Sequence, residues 1–372
     1  MSVEFHALSH VVPVRNCNFL RHCKQLCEGT WALVDISIDG LLPNGPLTTC
    51  RKRPSGCIVQ ALPNGYSKII WVEHVAVQDQ IINDLSKSII RSGYAYGAKH
   101  WISTLERQCE RISSVIGDTS YPYGGILNEI DLRNLKGRQN LMKLGEKMML
   151  KFFSGISAAC ASHSWKLVSI NGDDEPIRIM VRDNTDDPES PWGVLLNASI
   201  SLWIPVPPEA VFHYLRNKNT RTQWDILTNG GTVEEMAYIS NGKKIGNCVS
   251  LLLVTNSQNA NQGNNILILQ ETSTTPTSAH IVYTPIDMAS IKMIFEGVDH
   301  EEVKLLPSGF TILPSDALYN DNIVNGTLLS IAFQTLVDSS PSANLSVSSI
   351  ASVDYLVRSI ANKIKTALSV LV

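Results

Sequence analysis

From Ala98 the apolar residues Trp101, Leu105, Cys109, Ile112 and Ile116 follow at spacings of 3 and 4, the period of one face of an α-helix. The residues between them, Glu106, Arg107, Glu110 and Arg111, are expected to face water. Leu141, Leu144, Met148 and Phe152 predict a second helix. Ile350, Val353, Val357, Ile360, Ile364 and Ala367 predict a third, at the end of the chain. Elsewhere the period drops towards two. Strand patterns open the chain, in SVEFHALSHV, NFLRHCKQL and TWALVDISID. They return in SWKLVSI, IRIMVRD and GVLLNASISLWIPV, and then in six runs between residues 233 and 337. Pro207-Pro208-Glu209 predicts a helix start, and TRTQWD a short second helix.

The stretch Cys57–His74 predicts a hairpin through Pro63-Asn64-Gly65: a type I turn closing with a glycine bulge, with Leu62 opposite Tyr66. That register groups Cys57, Val59 and Ala61 with Ile69 and Trp71, and puts Ile58, Leu62, Ile70 and Val72 on the other face. Both faces are apolar, so both call for an occupant.

The order of elements implies an α+β chain of two units. Residues 1–117 read as a meander and a long helix. Residues 118–137 read as a linker, with a boundary loop carrying Tyr121-Pro122-Tyr123-Gly124-Gly125. Residues 138–372 read as helix, three strands, two short helices, a long antiparallel meander and a terminal helix. An antiparallel sheet wrapped around a long C-terminal helix is a helix-grip arrangement, here one truncated copy followed by a complete one. Such a fold leaves room for an apolar cavity between sheet and helix.

Composition narrows the function. The 372 residues carry a net charge of −3, with 44% hydrophobic and 17% charged residues. That balance excludes a large nucleic-acid footprint, which needs clustered Lys and Arg. Arg51-Lys52-Arg53 is the one tight basic run and reads as a solvated loop before it reads as a targeting element. Eight cysteines without a C-x-x-C pair fit a reducing compartment. The N-terminus lacks a signal-peptide pattern, and no apolar run is long enough to span a bilayer. The nine histidines show no H-E-x-x-H motif, and no nucleophile elbow is present, so neither a metal, a cofactor nor an enzymatic activity is expected. Asp173-Asp174 and Asp186-Asp187 read as solvated loops. The sequons at Asn197, Asn325 and Asn344 carry no weight in a cytosolic or nuclear protein.

FLRHCKQLCEGTWALVDISID, RKRPSGCIVQALPNGYSKIIWVEH, LERQCERISSV, NKNTRTQWDILTNGG, NCVSLLL and LLPSGFTILP resemble the START domain and following region of plant class IV homeodomain–leucine zipper transcription factors. The resemblance covers nearly the whole chain. It implies helix-grip modules that bind sterols, phospholipids or similar apolar ligands and tune dimerisation, stability or transcription in the nucleus. Against the family pattern, the sequence is expected to begin partway through START, without homeodomain or zipper. Direct DNA contact is therefore not expected of it.

In better-known START domains a strand like NFLRHC carries an Arg that faces an acid near the polar end of the cavity. The resemblance assigns that role to Arg21, and to Glu4 as the acid on the neighbouring strand. The pair would greet a lipid's polar group or serve as a structural ion pair. Trp71, Trp101 and Leu105 are candidate cavity walls, as is Trp31, although aromatic residues at such positions usually form core. His74 reads as a structural histidine. Trp203 and Trp224 are expected to pack, and Asp225 to bond nearby backbone. The rival to a ligand-binding regulator is a dimerisation or interaction module whose interior is filled with side chains. An exposed sheet edge would favour that role.

Overall fold

The computed structural model describes residues 1–38, 50–77, 84–116, 123–125, 130–156, 165–168, 176–185, 187, 190–228, 230–255, 265–298, 300–319, 322–340 and 346–370. The acidic turn at Asn171–Asp174, together with Tyr121, Asp186 and Asn344, lies outside the described residues. The described chain divides into two compact units. Met1–Glu106 fall in the first, and Arg107–Ile156 with the later described residues fall in the second.

The first unit contains β1 (Ser2–Phe5), β2 (Arg15–Cys27), β3 (Thr30–Ser37), β4 (Cys50–Lys52), β5 (Ser55–Ala61), β6 (Ser67–Val72) and β7 (Val75–Val77). They are followed by α1 (Asp84–Arg91) and the start of α2 (Ala98–Ile116). Five strands form an antiparallel sheet in the order β1-β2-β3-β5-β6, and β4 pairs with β7. The β5–β6 turn closes as its residues require. Leu62 donates to the Tyr66 carbonyl at 2.7 Å and Gly65 to the Leu62 carbonyl at 3.1 Å, with Gly65 at φ 80°. Cys57 lies opposite Trp71, Ile58 opposite Ile70 and Val59 opposite Ile69, so the two apolar faces are those the sequence predicts.

Among the described residues of this unit, only one of these faces has a helix. Trp101 of α2 stacks on Trp71 with centroids 6.4 Å apart and meets Phe5 edge-on at 5.6 Å. The stripe that predicts α2 holds for Ala98, Trp101 and Leu105, which are half-buried, and then fails. Ile112 and Ile116 are 49% and 73% exposed, whereas Arg111 is buried. From Arg107 onward α2 belongs to the second unit, where a buried carboxylate, Glu271, takes the arginines. Leaving that charge unpaired would cost more than exposing two isoleucines.

The second unit contains β8 (Tyr123–Gly125), α3 (Leu135–Ile156), β9 (Lys166–Val168), β10 (Ile177–Asn184), β11 (Gly193–Ile204), α4 (Pro208–Arg216), α5 (Lys218–Trp224), β12 (Thr232–Ser240) and β13 (Cys248–Thr255). It continues through β14 (Ile266–Thr274), β15 (Ala279–Ile286), α6 (Met288–Glu296), β16 (Ser308–Tyr319), β17 (Asn322–Asp338) and α7 (Val347–Ser369). Its ten-stranded sheet runs β8-β12-β13-β14-β15-β16-β17-β11-β10-β9, all described pairings antiparallel. The fold is α+β, and both faces of this sheet are covered. Val353, Val357, Ile360, Ile364 and Leu368 of α7 join Leu196, Ile268, Ile281, Phe310 and Ile331 in one core. The opposite face carries Val249, Glu271, His280 and Gln334 and lies under α3. A Cβ on Gly145 would meet Glu271 Oε2 at 2.6 Å, and one on Gly155 would meet Gln334 Nε2 at 2.1 Å.

Two elements depart from the sequence reading. Tyr123–Gly125, expected in a loop, form β8 and pair with β12. Met288–Glu296, given no helix by periodicity, form α6 between the Asp287 side chain, which accepts from the Ser290 amide, and Gly297 at φ 101°.

Candidate functional site

Alternation along β2 places Phe19, Arg21 and Cys23 on the face that meets α2. The strand partner of Arg21 is Asp35 on β3. The guanidinium forks onto that carboxylate, Nε to Oδ1 at 2.8 Å and Nη2 to Oδ2 at 2.9 Å, and Nη1 is left outside the pair. Lys52 Nζ reaches Asp35 Oδ2 at 3.0 Å and Glu73 Oε1 at 3.1 Å. Glu73 Oε2 accepts from the Trp71 indole at 3.1 Å. Lys52, Asp35 and Glu73 side chains are 4%, 5% and 1% exposed, and Arg21 is 40% exposed. Lys52 also lies 5.0 Å from the Phe19 ring centroid and 5.4 Å from that of Phe5. Burial opposes ionisation of Asp35, but hydrogen bonds from Arg21 and Lys52 overcome it and hold the carboxyl below its usual range. Arg21 is held above its ordinary value, first by the same hydrogen bond.

The acid that meets Arg21 is thus Asp35, not Glu4. Glu4 lies opposite Asn16, which shares its pleat with Leu20 and not with Arg21, so Glu4 sits on the other face and contacts His6 at 3.5 Å. Lys52 is a second correction. The basic run that contains it was expected in solvent, yet its middle residue is buried on β4 while Arg51 and Arg53 are exposed.

Beside this cluster, the inner face continues as an apolar wall. Leu33, Cys57, Val59, Ile69 and Trp71 are half-buried, and Trp31 is 45% exposed. Trp101 and Leu105 face it from α2. Burial pushes the Cys57 thiol up, keeping it neutral. The structure brings together Arg21, Trp71 and Trp101 with three residues the sequence reading left out: Asp35, Lys52 and Glu73. Asp35 had a signal, since an acid between Val34 and Ile36 in a strand run needs a partner on its own face.

The second unit has a polar group at its centre as well. Arg221 is buried, with Nε 2.7 Å from Asp225 Oδ2 and Nη1 donating to Gln270. Its guanidinium carbon stands 4.5 Å from the Tyr283 ring centroid and 5.1 Å from that of Trp224. Trp224, Tyr283 and Phe310 pack with centroids 4.9 to 6.2 Å apart. Trp224 packs as expected, and Asp225 pairs with the Arg221 side chain. Side chains of α7 pack against this sheet in one apolar cluster. Trp203 donates to the Ser315 carbonyl at 2.8 Å, and the His74 side chain is exposed.

Among the described residues no three His, Cys, Asp or Glu side chains are placed to hold a metal, and no helix is long and apolar enough to cross a membrane. The seven described cysteines are free.

Residues 1–111 match the START domain, and residues 134–370 match the PDF2-like C-terminal domain. The homeobox-leucine zipper protein Anthocyaninless 2 of Arabidopsis thaliana is 41% identical over 99% of this chain, and protein ROC4 of Oryza sativa subsp. japonica is 39% identical over 99%. The chain spans 46% of the length of each, about half. Among solved structures it is similar to human StAR-related lipid transfer protein 5, at 14% identity and a TM-score of 0.36, covering 63% of this chain and 97% of that one. With residues 134–370 matching, more than half of its length, the chain belongs to the PDF2-like C-terminal domain family, with a START domain match ahead of it, and the relatives it is similar to are plant homeobox-leucine zipper proteins.

Proposed function

We propose that the chain is a ligand-responsive regulatory region of a nuclear transcription regulator, and that its first unit holds an apolar ligand against the inner face of the β2-β3-β5-β6 sheet. The observation that carries this reading is a buried, electrically balanced cluster beside a half-open apolar wall. Two cations, Arg21 and Lys52, meet two carboxylates, Asp35 and Glu73. With no net charge, the cluster suits a neutral polar end such as a sterol hydroxyl better than a free carboxylate or phosphate. Arg21 Nη1, on a partly exposed side chain, supplies the donor. Trp71, Trp101 and Leu105 supply the apolar contact, and Glu4, on the opposite face, lies outside the site. The ligand would stabilise the folded chain by mass action and so alter its partners or lifetime. The role proposed for the wall is binding.

The packed interior of the second unit supports a different part for that unit, as an interaction or dimerisation module. The test is native mass spectrometry of the purified chain, followed by thermal shift with a sterol, with phosphatidylcholine and with a fatty acid. A sterol shift that is lost in Arg21→Leu and absent for the fatty acid is expected. A folded chain that neither carries nor responds to any of the three would end the proposal.

A further inference from the structure

Opposite the inner wall, the first sheet presents a second apolar surface, and no described element of the first unit covers it. Leu20 and Ile36 form one row, Val34 and Val72 the next, and Ile58 and Ile70 a third. These six aliphatic side chains are 57%, 46%, 45%, 49%, 40% and 49% exposed, in the order named. Single exposed aliphatic residues are ordinary on a protein surface, but six in adjoining rows are not.

The same chain shows what such a face takes. In the second unit, the face turned away from the terminal helix α7 is covered by α3, whose Leu141, Leu144, Met148 and Phe152 are buried. In the first unit, the face turned away from α2 has no such helix among the described residues. The charges around the patch select among occupants. His22 and Lys24 share its rows, and Lys68, opposite Gln60, lies in the next row beyond Ile58 and Ile70. The carboxylate on that face along β2–β1 is Glu4, opposite Asn16 and two rows beyond Leu20. A second copy of the same face would set lysines against lysines. We propose that the outer face of the first sheet, centred on Val34, Ile58, Ile70 and Val72, is a docking surface for an amphipathic helix that carries an aliphatic ridge flanked by carboxylates.

The full chain is titrated with a fluorescein-labelled designed helix that has leucines at i, i+3, i+4 and i+7 and glutamates on both flanks. A second helix has the same leucines and lysine flanks. Saturable binding of the glutamate helix is expected, at least tenfold tighter than that of the lysine helix. Ile58→Thr/Ile70→Thr, which keeps β-branching, should weaken it tenfold or more. Lys24→Glu/Lys68→Glu alters surface charge alone and should reverse the preference between the two helices. Equal affinity for both helices, indifference to either double variant, or no saturation by about 1 mM overturns the proposal. So does a wild-type dimer that Ile58→Thr/Ile70→Thr dissolves, which would make a second copy the occupant. Flotation of the chain with phosphatidylserine vesicles that is lost in that variant would do the same, by making the occupant a membrane.

Discussion

Asp35 accepts from both Arg21 and Lys52, and its depressed ionisation has a consequence in acid. A carboxyl whose folded value lies below its unfolded value of about 3.9 adds stability that is complete above that value and is lost as pH falls through the folded one. Asp35→Asn should therefore flatten the acid limb of the melting temperature against pH, below about pH 4, relative to wild type. An unchanged acid limb would mean that the pair forms equally in the unfolded chain. Glu271 poses the sharper case. It is fully buried and takes Arg111 through two bonds of 2.6 and 2.8 Å and Asn241 at 3.0 Å. Arg111→Ala should cost about 3–5 kcal/mol in denaturant unfolding, because it strands the carboxylate, and Arg111→Met/Glu271→Leu should recover most of that. Neither partnership was legible. Arg107 and Arg111 lay on the polar side of a convincing helical stripe, and a periodicity rule weighs every charge as though water were its partner. The contrary signal was Glu271 itself, an acid in the apolar run ILILQETST.

Among the elements, the three long helices and the β5–β6 hairpin were readable because one local rule determined each: a 3.6-residue stripe, or a turn whose glycine takes a positive φ. Helix α6 escaped for the opposite reason. Its nine residues give too few turns for a stripe, and its signals are the caps at Asp287 and Gly297. Asp287→Ala should lower stability by about 1 kcal/mol, measured by urea unfolding. That carboxyl is held below its usual range by hydrogen bonds from Ser290, so the cap's contribution should fade in acid. Helix α3 lies close on its sheet because Gly145 leaves room for Glu271 and Val249. Gly145→Val should destabilise the chain by at least as much as a typical overpacked core, about 1–3 kcal/mol, whereas Lys143→Val on the same helix should be nearly neutral by the same measurement.

Over the whole molecule, the order of elements carried the α+β reading, since repeated meander-then-helix patterns leave few ways to cover a sheet. The pairing inside the candidate site was less accessible. Which acid faces Arg21 depends on strand order and on pleat parity together, and the expected neighbour, Glu4, failed on parity. The two units also differ in how they fill the space beside their terminal helices. Trp224, Tyr283 and Phe310 occupy it in the second, whereas the wall of the first is half-open. Phe310→Ala should therefore cost about 3–5 kcal/mol in unfolding experiments, and Leu33→Ala distinctly less, because Leu33 is only partly buried.

The hairpin at Pro63–Gly65 keeps two greasy surfaces apart by nothing more than odd and even numbering. One amino acid gained between Tyr66 and Ile69 would swing Trp71 out to where Val72 now points and turn Val72 inward, exchanging lining for skin along the edge strand. Gene variants that lengthen this loop by a single codon should therefore disable both surfaces at once, while a two-codon gain leaves each side facing as before.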